Sequence, residues 1–128
     1  MQTLYFAFLY ASDPEDDVHP IEKREPKSLI TTPEEISEDA YKSRKEAMVK
    51  WMGERAFRYL GKRVGLNLNT TKVLATTSNF NIEEITPYQY DVIINVRSLN
   101  NIRGINKMFS KVNEKLPDNG IFVGCFKQ

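Results

Sequence analysis

The stretch from Tyr90 to Phe126 limits the fold more than any other part of the chain. It opens with "YDVIINV" and closes with "GIFVGCF", two short apolar runs rich in β-branched and aromatic residues, as in strands buried on both faces. Between them Ile102, Ile105, Phe109, Val112 and Leu116 recur at three- and four-residue spacing, with Met108 adjoining. That spacing predicts a helix of about four turns beginning near Asn100 or Asn101. "LPDNG" ends it, because Pro117 forbids continuation and Asn119-Gly120 supplies a turn. Two buried strands joined through a helix are expected to be parallel neighbours linked by a right-handed crossover. "KVLATT", at Lys72 to Thr77, reads as a third buried strand after the turn "LNLNT". The class is α/β, a three-layer or two-layer sandwich with a mainly parallel sheet.

The first part of the chain is less regular. Leu4 to Tyr10 is apolar throughout and is expected to be a central strand. It lacks the basic start and small-residue cleavage site of a signal peptide, and falls well short of the ~20 residues that span a bilayer. Residues 12–31 are charged, contain Pro14, Pro20 and Pro26, and read as a long surface loop. Asp13, Asp16, Asp17 and His19 lie together there, but no second His or Cys anchors a metal, so they read as solvated charge. "TTPEEI" then predicts a helix start, with Thr32 as N-cap, Pro33 in the first turn and Glu35 closing a capping box. Val49, Met52, Ala56, Phe57, Leu60 and Val64 make one apolar stripe running to a C-cap at Gly65. Met48, Trp51, Arg55 and Tyr59 form a mixed face beside it, either a half-covered flank or a partner surface.

A chain of 128 residues is expected to form a single domain, 1–128, around one core. Its 18 Lys and Arg balance 17 Asp and Glu, so overall charge favours neither nucleic acid nor an anionic membrane, and neither nucleic acid nor direct membrane insertion is expected. The lone cysteine, Cys125, has no disulfide partner in the chain and sits in an apolar run with no basic neighbour to activate it. A small buried hydrophobe suits a reducing, cytoplasmic setting.

Polar residues gather where two of the expected strands end. "KVLATT" runs into Thr76, Thr77, Ser78, Asn79 and Asn81, and "YDVIINV" runs into Asn95, Arg97, Ser98, Asn100, Asn101 and Arg103. In open parallel sheets ligands bind beyond the carboxyl ends of the strands, and a helix N-terminus beside an arginine suits an anion. Thr76, Thr77, Ser78, Asn79, Asn81, Asn95, Arg97, Asn100 and Arg103 are therefore the candidate ligand-binding residues, for a phosphate or a nucleotide-like molecule. The other reading is local: Asn and Ser at strand ends cap helices and close Asx turns, so "RSLNN" is also a natural N-cap for the following helix. Neither GxGxxG nor GxxxxGK[ST] occurs, and no Ser-His-Asp set can be assembled. No catalytic residue and no cofactor is expected.

Two family resemblances attach to these residues. "YDVIINVRSLNNIRGINKMFSKVNEKLPDNGIFVGCF" resembles the later part of class I methyltransferases, where an "xDvIi" strand, a loop, a helix carrying "l..i...LkpgG" and a further strand follow in order. That resemblance implies a Rossmann-like, methyltransferase-like sheet. The cofactor-binding front half of that family, with its glycine-rich loop and ribose-binding acid, has no match.

A more specific resemblance covers about Val73 to Cys125. Its wording, "VLATTSNFNIEEI", "IIN", Arg97, "NNIRGINK" and "VNEKLPDNGIFVGC", is similar to the region ahead of the catalytic domain in bacterial sugar transferases that begin exopolysaccharide or capsule synthesis. Asn101 stands where that family often has Asp. The resemblance implies a non-catalytic accessory or regulatory module. Its expected partners are the catalytic transferase domain or polysaccharide-assembly proteins, with a homodimer as a further expectation. The parent protein would sit at the inner face of the cytoplasmic membrane. The alternatives are a small atypical S-adenosylmethionine-dependent methyltransferase and a protein-interaction domain using Trp51 and Tyr59.

Overall fold

The computed structural model describes residues 4–11, 25–76, 78, 80–100 and 102–127. Strand β1 (Leu4–Tyr10) is followed by helices α1 (Glu38–Met52) and α2 (Glu54–Gly61), then β2 (Thr71–Leu74) and the short α3 (Phe80–Glu83). The chain closes with β3 (Val92–Asn95), α4 (Ile105–Lys115) and β4 (Ile121–Lys127). The strands form one sheet in the order β1-β4-β3-β2.

The join between β3 and β4 is parallel, with Val92, Ile93 and Ile94 opposite Ile121, Phe122 and Val123, and α4 makes the connection between them. Side chains alternate across this centre. Ile94 and Val123 pack with Met48, Met52, Phe57 and Leu60 of α1 and α2, whereas Ile93 and Phe122 pack with Met108, Val112 and Leu116 on the α4 side. Period-two alternation between two apolar layers is why both strands read as continuous hydrocarbon.

The sheet as a whole is mixed, which corrects the expected mainly parallel, Rossmann-like arrangement. Strand β1 lies antiparallel to β4 from Leu4↔Lys127 to Tyr10↔Ile121. That seven-pair ladder equals the four parallel pairs of β2–β3 and the three of β3–β4 together. Nor is β1 central. It occupies one edge, and none of its residues is fully buried. Its hydrocarbon flanks the two cores, Leu4, Phe6 and Phe8 against the α1 layer and Leu9 against the α4 layer, so an edge strand acquires the composition of a central one.

The helix expected from Thr32 begins later. Glu34 and Asn69 exchange hydrogen bonds, the Ile36 amide donates to the Asn67 carbonyl, and Glu35 forms an isolated bridge with Leu68. This extended pairing occupies the backbone that a capping box at Thr32 would need. Ser37 is the N-cap instead, its Oγ accepting from the Ala40 amide at 3.1 Å. The single apolar stripe is also cut in two. Gly53 has φ 87° and ψ 162°, a conformation essentially confined to glycine, and α2 restarts beyond it. The second helix ends at Gly61, not at Gly65.

Of the expected surface loop, residues 25–31 are irregular and mostly exposed. The Lys27 amide donates to the Asp118 carboxylate and the Lys27 carbonyl accepts from the Asp118 amide, and the Ile30 amide donates to the Tyr88 carbonyl. Asp13, Pro14, Asp16, Asp17, His19 and Pro20 lie outside the described residues. Among the described residues no helix is long and apolar enough to cross a membrane.

Candidate functional site

The polar groups at the carboxyl ends of β2 and β3 are held by the strands themselves. Asn95, the last residue of β3, has its side chain fully buried. Its Oδ1 accepts from the Thr76 amide at 2.9 Å, and its Nδ2 donates to the Thr76 carbonyl at 3.0 Å and to the Arg97 carbonyl at 3.1 Å. One carboxamide thus replaces a step of sheet ladder and ties together the two strand-end loops. Thr76, also buried, turns its hydroxyl to Ser78, donating to the Ser78 carbonyl and accepting from the Ser78 amide. This is a local hydroxyl turn of the kind that competes with ligand binding for the same oxygen.

The loop after β3 folds back over β4. The Leu99 amide donates to the Cys125 carbonyl, and Leu99 is buried beside Gly124, where an added Cβ would come within 2.8 Å of Leu99 Cδ1. A glycine in β4 therefore makes the seat for this loop. Asn100 completes the fold-back, its Nδ2 donating to the Lys127 carbonyl at 2.5 Å and its Oδ1 accepting from the Lys127 amide at 2.7 Å. Ser98 Oγ donates to the same Oδ1. Helix α4 does not start at Asn100. Its N-cap is Gly104, left-handed at φ 68° and without a side-chain cap, so Ser98 and Asn100 form a strand-edge clamp and not a helix cap.

Arg97 and Arg103 lie on the same connection between β3 and α4 but face different surroundings. The Arg97 guanidinium lies over the Trp51 ring at the end of α1, 5.5 Å from its centroid, within cation–π range. Arg103 is exposed in the turn before α4, the layer on the other side of the sheet. Asn81, on α3, lines a groove beside β2 with Lys72, Glu84, Gln89 and Tyr90. Thr77, Asn79 and Asn101 lie outside the described residues. Thr76, Ser78 and Asn95 are thus brought together at one point, and Asn100 is held at the far end of β4.

Two polar features have no counterpart in the sequence reading. Arg44 of α1 is half-buried and donates to the carbonyls of Leu66 and Leu68 through Nη1 and of Thr71 through Nη2, at 2.7, 2.9 and 2.9 Å. It anchors the turn leading into β2, and burial pulls its pKa below the ordinary arginine value. On the other layer Glu83 pairs with Lys111 at 2.5 Å, and that hydrogen bond, backed by the lysine's charge, lowers the glutamate's pKa. Neither could be read from spacing, because 22 and 28 residues respectively separate the nearest partners in sequence. Cys125 is buried, and burial raises the pKa of its thiol.

The outer surface of α1 and α2 gathers charge that the overall balance conceals. From Lys50 to Arg63 there are five cations, Lys50, Arg55, Arg58, Lys62 and Arg63, against one acid, Glu54, in a chain of net charge +1. Ala56, Phe57 and Leu60 take the buried side of α2, leaving Arg55, Arg58, Tyr59 and Lys62 exposed. Tyr59 stacks on Phe6 of β1 at 5.5 Å, and the Arg63 guanidinium lies 3.6 Å from its ring centre. No family model matches the sequence, and no curated protein or solved structure matches the chain.

Proposed function

We propose that this chain is a non-catalytic α/β module that acts by binding an acidic surface of a partner protein. The observation that carries the reading is the placement of Arg97. This arginine follows the strand end where a ligand crevice is expected, yet its guanidinium is laid on Trp51, which is 39% exposed at the end of α1. A guanidinium held near an aromatic ring by cation–π attraction keeps N–H donors available for a carboxylate. The helix that follows Trp51 adds exposed Arg55 and Arg58, with Lys62 just past its end, so this helical layer combines aromatic area with cationic donors, the composition of an interface anchor. Meanwhile Asn95 and Asn100 bond the protein's own backbone, which supports a scaffolding role for the strand-end residues.

The resemblance of Val73 to Cys125 supplies the setting: an accessory or regulatory module of a bacterial sugar transferase in polysaccharide biosynthesis. The partner is then the catalytic transferase domain or an assembly protein, met in the cytoplasm at the inner face of the membrane. The test is calorimetry of the purified chain against the catalytic region of such a transferase, beside Trp51→Ala and Arg58→Glu variants. Binding weakened at least about tenfold by either variant, and by added salt, is the expected result. Methyl or sugar transfer by the chain alone at ordinary enzyme rates, or heat and thermal shift with S-adenosylmethionine, would overturn the reading in favour of an enzyme.

A further inference from the structure

The chain reverses at Gly53, and Tyr41 of α1 meets Phe57 of α2 with ring centres 6.2 Å apart, so the start of α1 lies beside the end of α2. A groove of about 470 Å³ opens between those two ends. Its size falls within the range of pockets that enclose small ligands, about 300–1,000 Å³. The floor is apolar, made by half-buried Ile36, Tyr41 and Val64 and by buried Leu66. Gly61 and Gly65 also line it, and the absence of a side chain at both positions is what leaves the space open.

The rim of this groove is acidic. Exposed Glu35 and Glu38 stand on it, and residues 34–39 carry four acids, Glu34, Glu35, Glu38 and Asp39, with no lysine or arginine among them. Glu35 accepts from the Asn67 side-chain amide at 3.4 Å, and neither rim glutamate has a cationic partner among the described residues. The cations closest in the fold are committed elsewhere. Arg44 holds the carbonyls of Leu66, Leu68 and Thr71, Lys45 lies over the Phe57 ring, and Arg63 lies over Tyr59. The carboxyl end of α2 adds the negative pole of a helix dipole, and the Gly61 carbonyl there accepts no hydrogen bond among the described residues.

We propose that this groove receives an arginine side chain from a partner protein. An arginine has an aliphatic stem for the floor of Ile36, Val64 and Leu66, and a charged head for the rim. Its five N–H donors lie in a fixed fork that can serve a carboxylate and the Gly61 carbonyl together, while Tyr41 offers an aromatic wall to the guanidinium. A lysine ammonium is a compact, strongly hydrated point charge and matches this spread of acceptors less well. A hard metal ion requires six or more oxygen ligands, which an apolar floor does not supply. An anion or a neutral apolar group would meet two carboxylates without counter-ions. About 20 Å of helix separates Glu38 from Trp51 at the other end of α1, so this inference does not rest on the role proposed for the Trp51 and α2 surface.

Titration of the full chain with the peptide acetyl-Leu-Arg-Leu-amide, followed by nitrogen–proton correlation spectra, tests the site, because the amides of Gly61 and Gly65 and the Asn67 carboxamide line it. Saturable shifts centred on these groups at millimolar peptide are expected. The same peptide with citrulline, the neutral isostere of arginine, should bind the parent chain at least about fivefold more weakly. A Glu35→Gln/Glu38→Gln chain should lose a similar factor for the arginine peptide while its spectrum elsewhere stays that of the parent. Trp51→Ala and Arg58→Glu should leave the titration unchanged, which separates this proposal from the one above. The absence of saturable shifts in the groove overturns the proposal. So does citrulline peptide or free spermidine binding as tightly as the arginine peptide, or binding that survives in full in the Glu35→Gln/Glu38→Gln chain.

Discussion

Replacing Asn95 separates a structural role for the strand-end cluster from a ligand-binding one. The side chain is 0% exposed and makes three hydrogen bonds, at 2.9, 3.0 and 3.1 Å. Asn95→Ala removes all of them and leaves the Thr76 amide and two carbonyls short of partners. At a net ~1 kcal/mol per bond, the expected loss is about 3 kcal/mol, with water entering the vacated space able to reduce it to about 2. For a domain of this size that is a large share of a total stability on the order of 5–15 kcal/mol. Urea unfolding followed by Trp51 fluorescence measures it. With a slope of ~1.5 kcal/mol per M, the midpoint should fall by about 2 M. Asn95→Asp refines the argument: the carboxylate still accepts from the Thr76 amide, but its second oxygen faces the carbonyls of Thr76 and Arg97. It should therefore destabilise at neutral pH and recover part of the loss in acid, where a protonated carboxyl can donate once. A midpoint for Asn95→Ala within about 0.5 kcal/mol of the parent would refute the structural account. The carboxamide would then be available to a ligand.

Gly124→Ala brings a methyl within 2.8 Å of Leu99 Cδ1 and should cost about 1–3 kcal/mol, with the penalty shrinking in a Leu99→Ala background when the two are compared by double-mutant cycle in urea. Thr70 is fully buried and its Oγ1 has no hydrogen-bond partner, so Thr70→Val should raise stability by up to ~1 kcal/mol, read as a higher thermal midpoint. Burial raises the Cys125 thiol above its unfolded pKa, so unfolding releases a group that ionises more easily. Stability should be unaffected at neutral pH and decline as pH rises through the thiol range, a decline that Cys125→Ala abolishes in urea melts at stepped pH. Glu83 has the opposite sign: its lowered pKa favours the folded state above the usual carboxylate range, and that small contribution disappears as pH falls, checked by melting Glu83→Gln beside the parent at acid and neutral pH.

The unit β3–α4–β4 was legible because its signals are local. Two apolar runs flank a helical period, and "LPDNG" supplies the stop, with Asn119 at φ 67° as its turn chemistry requires. Buried Cys125 follows from the same run. The misread boundaries share another cause, competition from distant backbone. Residues 34–36 are drawn out of a helix by the 67–69 turn, and residues 97–100 are drawn onto the end of β4 instead of capping α4. Local capping propensity at Thr32 or Asn100 is worth about 1 kcal/mol, less than the several long-range bonds that replace it.

For the candidate site, residue types alone identified Asn95 and Arg97 as polar groups at a strand end, but not what they touch. Periodicity determined that β3 and β4 are buried on both faces and that a helix joins them, since those properties depend on neighbours a few positions away. Only the tertiary structure decided that β1 lies antiparallel at an edge, that Asn95 is consumed by Thr76 and Arg97, and that Arg97 turns to Trp51. An apolar strand reads the same at a sheet's centre and at its margin beneath two helical layers. Its place is set by which ladder remains open on β4, 111 or more residues further along the chain.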